Sequence, residues 1–264
     1  MTIGISRRVI ADAVVAFALC LLIGPVQAAA VELINIQFQS SSQSVPAYNG
    51  GAVIGGAGDT WNGITSPGGT NIALKNSTGS LSSTGASMSW DGSGLFAGYH
   101  NGYTNAFGGG SYDPLMNSYI YLLGGSIAVP QVARTISFNH LAGNTTYDLY
   151  VYTEGAGDAV GRNLSIKING NTITTDHASL SNRGTFVEGE NYLKVTGTTD
   201  SNGYLSFTYS GVGTGNTGGK PGEANINGIQ LRQPSESVPE PSTYVLMGIG
   251  GLLIALRLKR YSCA

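Results

Sequence analysis

Thr146-Tyr147-Asp148-Leu149-Tyr150-Val151-Tyr152 decides how the rest of the chain is read. Tyr147, Leu149 and Val151 alternate with Asp148, Tyr150 and Tyr152, so the two sets fall on opposite faces of an extended segment, as in a half-buried strand. Ala142-Gly143-Asn144 supplies a turn just before it. The same period recurs on both sides. Ile34, Ile36 and Phe38 alternate with Asn35, Gln37 and Gln39, and Ile136 and Phe138 with Thr135 and Ser137. Leu164, Ile166 and Ile168 alternate with Ser165, Lys167 and Asn169, followed by Leu193 with Val195 and by Leu205, Phe207 and Tyr209. Asn169-Gly170-Asn171 between two runs reads as a tight hairpin turn. In Ala224 to Arg232 the parity breaks, because Ile226 cannot share a face with Ile229 and Leu231; a bulge at Asn227-Gly228 would restore register.

No convincing amphipathic helix interrupts these runs; one turn fits within Pro114 to Tyr121. About eight or more antiparallel strands at short spacing predict an all-β fold, an antiparallel β-sandwich that is jelly-roll-like, over residues 31–232. Gly211 to Gly222 reads as a Gly-rich loop before the final strand.

Composition agrees. The chain has 264 residues, 40 of them Gly, and only 11% are charged. Such low charge is atypical of cytosolic enzymes and fits a β-rich secreted protein with many turns. Setting aside Arg7, Arg8, Arg257, Lys259 and Arg260 with Asp12 and Glu240 leaves 8 of the 13 basic and 13 of the 15 acidic residues in the body. A mildly acidic body without a basic patch excludes nucleic acid as a partner. Cys20 and Cys263 both lie in the terminal segments, which excludes a disulfide framework and a cysteine-ligated zinc site in the body.

The two ends carry address information. Residues 1–28 read as a signal peptide. Arg7-Arg8 precede an apolar run from Val9 to Ile23, Gly24-Pro25 break it, and Val26-Gln27-Ala28 places small residues where signal peptidase cuts, after Ala28 or Ala30. An uncleaved anchor is the alternative, and Ser6-Arg7-Arg8-Val9-Ile10 leaves twin-arginine export open beside the general route. Leu19 before Cys20 argues against a lipoprotein. At the other end, residues 233–241 form a linker ending in Val238-Pro239-Glu240-Pro241, stiffened by its two prolines. Residues 242–260 hold the apolar run Tyr244 to Leu256 and then Arg257, Lys259 and Arg260, a positive cluster that sets topology. The run is about 13 residues where a spanning helix needs about 20, so snorkelling of Arg257 and Lys259 would have to extend it. A plain membrane anchor is the alternative to a sorted tail.

This tripartite tail strongly resembles the PEP-CTERM sorting signal of Gram-negative and related bacteria, also called an ice-binding protein C-terminal domain, a label that says nothing of the body. The resemblance covers about the last 27 residues, and order, spacing and the Val-Pro-Glu-Pro wording match. It implies handling by exosortase, a membrane-embedded transpeptidase-like enzyme, cleavage near Pro239-Glu240-Pro241, transient residence in the inner membrane through the transmembrane tail, and delivery to the outer surface or an exopolysaccharide matrix. The body resembles galactose-binding-like and carbohydrate-binding sandwiches in Thr146 to Tyr152, Leu205-Ser206-Phe207-Thr208-Tyr209 and Asn225-Ile226-Asn227-Gly228-Ile229-Gln230-Leu231. That match is one of strand pattern and is weakly tied to function.

Within the body, chemistry is sparse. His100, His140 and His177 are dispersed, and Gly92-Ser93-Gly94 lacks nucleophile-elbow spacing. Gly211-Val212-Gly213-Thr214-Gly215 leads toward Pro221 and not a helix, so it is a loop. Asp148, Glu154 and Asp158 near one strand end, and Glu188 and Glu190 near another, are the carboxylates a glycosidase would pair. Gly55-Gly56-Ala57-Gly58-Asp59-Thr60-Trp61-Asn62 is the most distinctive segment. Asp59 and Asn62 offer oxygen ligands, and Trp61 offers a flat face for a sugar ring, unless it plugs the core. Trp90, Tyr99, Tyr103 and Tyr112 are further aromatic candidates, although Trp90-Asp91-Gly92 is more simply a strand ending in a turn. No cofactor is expected; a structural calcium is one expectation, with Glu32, Asp59 and Asp148 as contributors.

The expectation is therefore an exported, non-catalytic envelope or matrix protein whose natural ligand is polysaccharide. The alternatives are a polysaccharide-active enzyme on the same scaffold and a purely structural or adhesive surface protein.

Overall fold

The computed structural model describes residues 31–40, 47–97, 107–108, 110–122, 133–154, 163–176, 184–212 and 222–233. Val31–Pro234 forms one compact unit. The signal segment with Ala28, the tail with Val238, Pro239, Glu240, Pro241, Arg257, Lys259 and Arg260, and His100, Tyr99, Tyr103, Asp158 and His177 lie outside the described residues. No described helix is long and apolar enough to cross a membrane.

About half of the described residues are in strands, and helix is confined to a single turn. In order the chain forms β1 (Leu33–Phe38), β2 (Asn62–Ile64), β3 (Gly68–Ala73), β4 (Ser87–Asp91), β5 (Gly94–Ala97), the single-turn helix α1 (Asp113–Met116), β6 (Ser118–Leu122), β7 (Arg134–Asn139) and β8 (Thr146–Tyr152). Then come β9 (Asn163–Ile168), β10 (Asn171–Thr174), β11 (Tyr192–Thr198), β12 (Leu205–Val212), β13 (Ala224–Ile226) and β14 (Gly228–Arg232). A five-stranded sheet runs β11-β8-β14-β1-β2 and a six-stranded sheet β10-β9-β12-β7-β4-β3; a three-stranded piece, β13-β6-β5, stands beside them. Every pairing is antiparallel except β1 with β2.

Successive strands cross repeatedly between the two large sheets, as expected of a jelly-roll-like sandwich, and the core forms where their inner faces meet. Ile34, Ile36, Leu149, Val151, Val195 and Ile229 from the first sheet belong to the same buried cluster as Met88, Ile136, Phe138, Ile166 and Phe207 from the second. Burying a side chain of this size contributes about 1.5–3 kcal/mol. The hairpin of β9 and β10 turns at Asn169 (φ 47°) and Gly170 (φ 83°). Two successive positive φ values match the right-handed twist of the flanking strands, which is why Asn-Gly serves there.

Two expectations need correction. First, the parity break before Arg232 is a change of sheet and not a bulge within one. β13 pairs with β6 in the small sheet, and one residue later β14 enters the centre of the five-stranded sheet. Asn227 forms the corner, fully buried. Its Oδ1 accepts the Glu154 amide at 2.6 Å, and its Nδ2 donates to the Met116 and Ser118 carbonyls at 2.6 and 3.0 Å. Its backbone NH donates to Tyr152 at 2.8 Å, and its carbonyl accepts from the Phe38 NH at 2.9 Å. Secondly, β1, β8 and β14 are buried on both faces: Asn35, Gln37, Tyr150, Tyr152 and Gln230 are inside, not in water. A second layer covers the outward face of the five-stranded sheet. A smaller correction concerns the Gly-rich loop, since β12 continues through Gly211 to Val212. A Cβ on Gly211 would lie 1.8 Å from the Gly222 carbonyl, so this glycine permits a close backbone approach.

Candidate functional site

The covering layer is built from the segment in which the sequence places its binding site. Residues 47–61 fold back over β1 and β14 and attach through buried amides. Gln37 Oε1 accepts the Tyr48 amide at 2.8 Å, and Asn35 Nδ2 donates to the Thr60 carbonyl at 3.1 Å. Gln230 Nε2 donates to Asn35 Oδ1 at 2.9 Å and to the Ile54 carbonyl at 3.0 Å, while its Oε1 accepts from the Tyr152 hydroxyl. Tyr152 in turn accepts the Val53 amide at 3.0 Å. Tyr48, Trp61, Phe107, Leu115, Met116, Tyr150 and Tyr152 fill the space beneath as a second apolar cluster. Trp61 meets Tyr48 edge-on at 5.4 Å between centroids.

These contacts place the residues singled out above. Trp61 is 6% exposed and its Nε1 donates to the Gly50 carbonyl at 2.9 Å, so the indole plugs the core and offers no face to a sugar. Trp90 is 5% exposed in the other cluster, donates to the Ser66 carbonyl at 3.1 Å, and lies against Gly69, where a Cβ would clash with the ring at 2.2 Å. The two indoles are not brought together. Asn62 bonds the Asn35 and Lys75 carbonyls at 2.8 and 2.7 Å and accepts the Lys75 amide at 2.8 Å, tying β2 to its neighbours. Asp59 Oδ2 accepts the Gly56 amide at 3.1 Å, closing the glycine turn. All four make contacts within the scaffold. Tyr112 joins Phe107 and Phe186 around the covering layer.

The candidate calcium ligands are engaged in different ways. Glu32 accepts from the Ser82 hydroxyl at 3.0 Å and the Ser83 amide at 2.8 Å, Asp59 from Gly56, and Asp148 from basic groups described below. Among the described residues no three His, Cys, Asp or Glu side chains converge.

One surface cluster was not visible in the sequence. On the outward face of the five-stranded sheet, register places Lys194 of β11 beside Tyr150 of β8, and Arg232 of β14 beside Asp148. Lys194 Nζ and Arg232 Nη2 each lie 3.3 Å from Asp148 Oδ2. Both cations stand over the Tyr150 ring, at 5.7 and 5.8 Å from its centroid, and Arg232 also donates to the Tyr150 hydroxyl at 3.2 Å. Thr196 Oγ1 donates to Asp148 Oδ1 at 3.2 Å. The Asp148 hydrogen bond pushes the Lys194 ammonium above its ordinary value. Tyr192 stacks on Tyr150 at 6.4 Å with 28° between ring planes, and its hydroxyl reaches Glu188 at 3.4 Å. The sequence did mark Asp148 as a carboxylate of interest. Its partners escaped because they sit on strands adjacent only in space.

No curated protein matches the chain by sequence. Among solved structures it is similar to the ANXUR1 extracellular domain of Arabidopsis thaliana, at 13% identity and a TM-score of 0.39, over 53% of this chain and 38% of that one. It is similar to the ANXUR2 extracellular domain of the same plant at 13% identity and a TM-score of 0.40, over 77% and 50%. It is also similar to an exo-beta-1,3-galactanase of Phanerochaete chrysosporium with galactose, at 17% identity and a TM-score of 0.29, over 60% and 32%. In each case the chain spans half or less of the other protein's length. Residues 237–260 match the PEP-CTERM protein-sorting motif, and the chain thus carries the address of an exosortase-sorted exported protein.

Proposed function

We propose that this is a non-catalytic protein of the cell surface or extracellular matrix, released from its tail by exosortase-type processing, whose β-sandwich binds glycan. The observation that carries the reading is the sorting motif at 237–260 joined to a sandwich that ends at β14. A polysaccharide-rich destination makes glycan the natural ligand. The non-catalytic reading is supported by the use made of Asp148, whose carboxylate is engaged by Lys194 and Arg232. A glycosidase needs two carboxyl groups facing one scissile bond.

Two measurements test the proposal. Mass spectrometry of the mature protein should find a new C-terminus near Pro239-Glu240-Pro241; retention of Arg257 to Ala264 would make it an anchored protein instead. A glycan array, with pull-down on the producing organism's own exopolysaccharide, should show binding without depolymerisation. Shortening of the polysaccharide during incubation would favour the enzyme alternative.

A further inference from the structure

We infer that Lys194 and Arg232, held around Tyr150 on the outward face of the five-stranded sheet, form a subsite for an anionic group of a polysaccharide, a uronate carboxylate or a sulfate ester. The inference rests on the glycan-binding reading and gives that ligand its charge.

Among the described residues the basic side chains are Lys75, Arg134, Lys167, Lys194 and Arg232, set against eleven Asp and Glu. In so acidic a body two cations would be expected to stand apart, each with its own carboxylate, as Arg134 does with Asp91. Instead Lys194 and Arg232 share a single oxygen of Asp148. The exposures are unequal in the direction a binding site needs. The side chains of Lys194 and Arg232 are 39% and 36% exposed, whereas that of Asp148 is 11% exposed. A molecule approaching from solvent therefore meets two positive groups and little of the negative one.

Donor capacity points the same way. The side-chain hydrogen bonds of Arg232 run through Nη2, to Asp148 and Tyr150, and Nε is buried, which leaves Nη1 to meet a ligand. Guanidinium and ammonium N–H groups both form charge-assisted hydrogen bonds with carboxylate and sulfate oxygens. The Tyr150 ring and hydroxyl hold both cations in place before a ligand arrives, which lowers the ordering cost of binding. Tyr192, half-buried and stacked on Tyr150, flanks Lys194 on the same face and adds an aromatic surface for a sugar ring. Glu188, at the Tyr192 hydroxyl, is the acidic group on that side, so the anion belongs at the Lys194–Arg232 end. Strand stitching is the competing explanation. Partly exposed ion pairs of this kind contribute about 0–1 kcal/mol to stability.

The test uses the mature exported protein and three probes with one backbone: dextran, carboxymethyl dextran and dextran sulfate. Affinity electrophoresis or calorimetry should show a charged dextran bound about tenfold or more tightly than dextran, with the advantage shrinking as salt rises. A preference between carboxymethyl and sulfate forms identifies the anion. Lys194→Gln and Arg232→Gln should each weaken charged-dextran binding by about tenfold while the thermal midpoint moves little. Asp148→Asn should strengthen it, because it removes the competing carboxylate and spares both cations. Strand stitching gives the opposite for Asp148→Asn, a lower midpoint with no gain in affinity. Equal affinity for charged and neutral dextran, or unchanged charged-dextran binding in Lys194→Gln, overturns the inference and leaves the glycan reading standing. Absence of binding to every glycan on the array overturns both.

Discussion

The two large sheets present outward faces that share a period and differ in everything else. On the six-stranded sheet the outward rows are mostly hydroxyls. Ser89, Ser137 and Ser206 are register neighbours, as are Thr135 and Thr208, and Ser210, Ser165 and Thr174. Most remain partly or fully exposed, and β12 alternates buried and accessible residues along nearly its whole length. On the five-stranded sheet the equivalent positions are amides and tyrosines, Asn35, Gln37, Gln230, Tyr150 and Tyr152, and all are buried. The lesson lies in reach. Serine and threonine satisfy themselves in water, but a long amide can hold the backbone of an overlying loop, and a tyrosine adds apolar area with a polar tip. The first face stays open; the second recruits residues 47–61 as a roof over β1 and β14 and leaves Lys194, Thr196 and Thr198 of β11 exposed.

The largest expected effect on this contrast comes from alkali. Burial, with a smaller contribution from nearby Tyr112, pushes the Tyr48 hydroxyl up to about 12 from an ordinary value of 10, and burial raises Tyr152 and Tyr209 as well. A group whose folded value is raised contributes stability that is complete below the unfolded value and is lost as pH climbs through the folded one. Stability should therefore hold up to about pH 10 and fall between about 10 and 12, with tyrosinate absorbance rising together with loss of the fold. Independent, non-cooperative tyrosine titration would contradict the buried roof.

Next in size is Trp61→Ala, expected to cost about 3–5 kcal/mol in denaturant unfolding, because it empties a filled core position and orphans the Gly50 carbonyl. Glycan affinity per folded molecule should not change, since the indole has no exposed face. Gln230→Leu keeps the volume but removes the partners of the Ile54 carbonyl, Asn35 and the Tyr152 hydroxyl. About 2–4 kcal/mol is expected, together with faster hydrogen exchange at Val53 and Ile54. The smallest effect belongs to the open face, where Ser137→Ala or Thr208→Ala should stay within about 0.5 kcal/mol of the parent. A penalty of several kcal/mol there would mean that this face too is covered.

Much of the fold was legible because period-two patterns survive translation into strands: β1, β7, β8, β9, β11 and β12 lie where alternation places them. The hairpin at Asn169-Gly170 was legible because its turn chemistry is local. Trp61 stayed open between a sugar platform and a core plug, because a tryptophan beside glycines reads the same whether its face is open or roofed. The parity break at Asn227 was visible, but alternation cannot say whether a residue bulges or changes sheet.

The sequence by itself determined the address and the class: a Pro-Glu-Pro sorting tail, matched at 237–260, and an all-β body. These depend on residues close together in the chain. Only the tertiary structure decided which polar positions are buried and which charges meet. Asp148, Lys194 and Arg232 come together because β8 is flanked by β11 and β14, strands 40 and more residues away along the chain. Adjacency of that kind follows from the packing of whole sheets and leaves no local mark in the sequence.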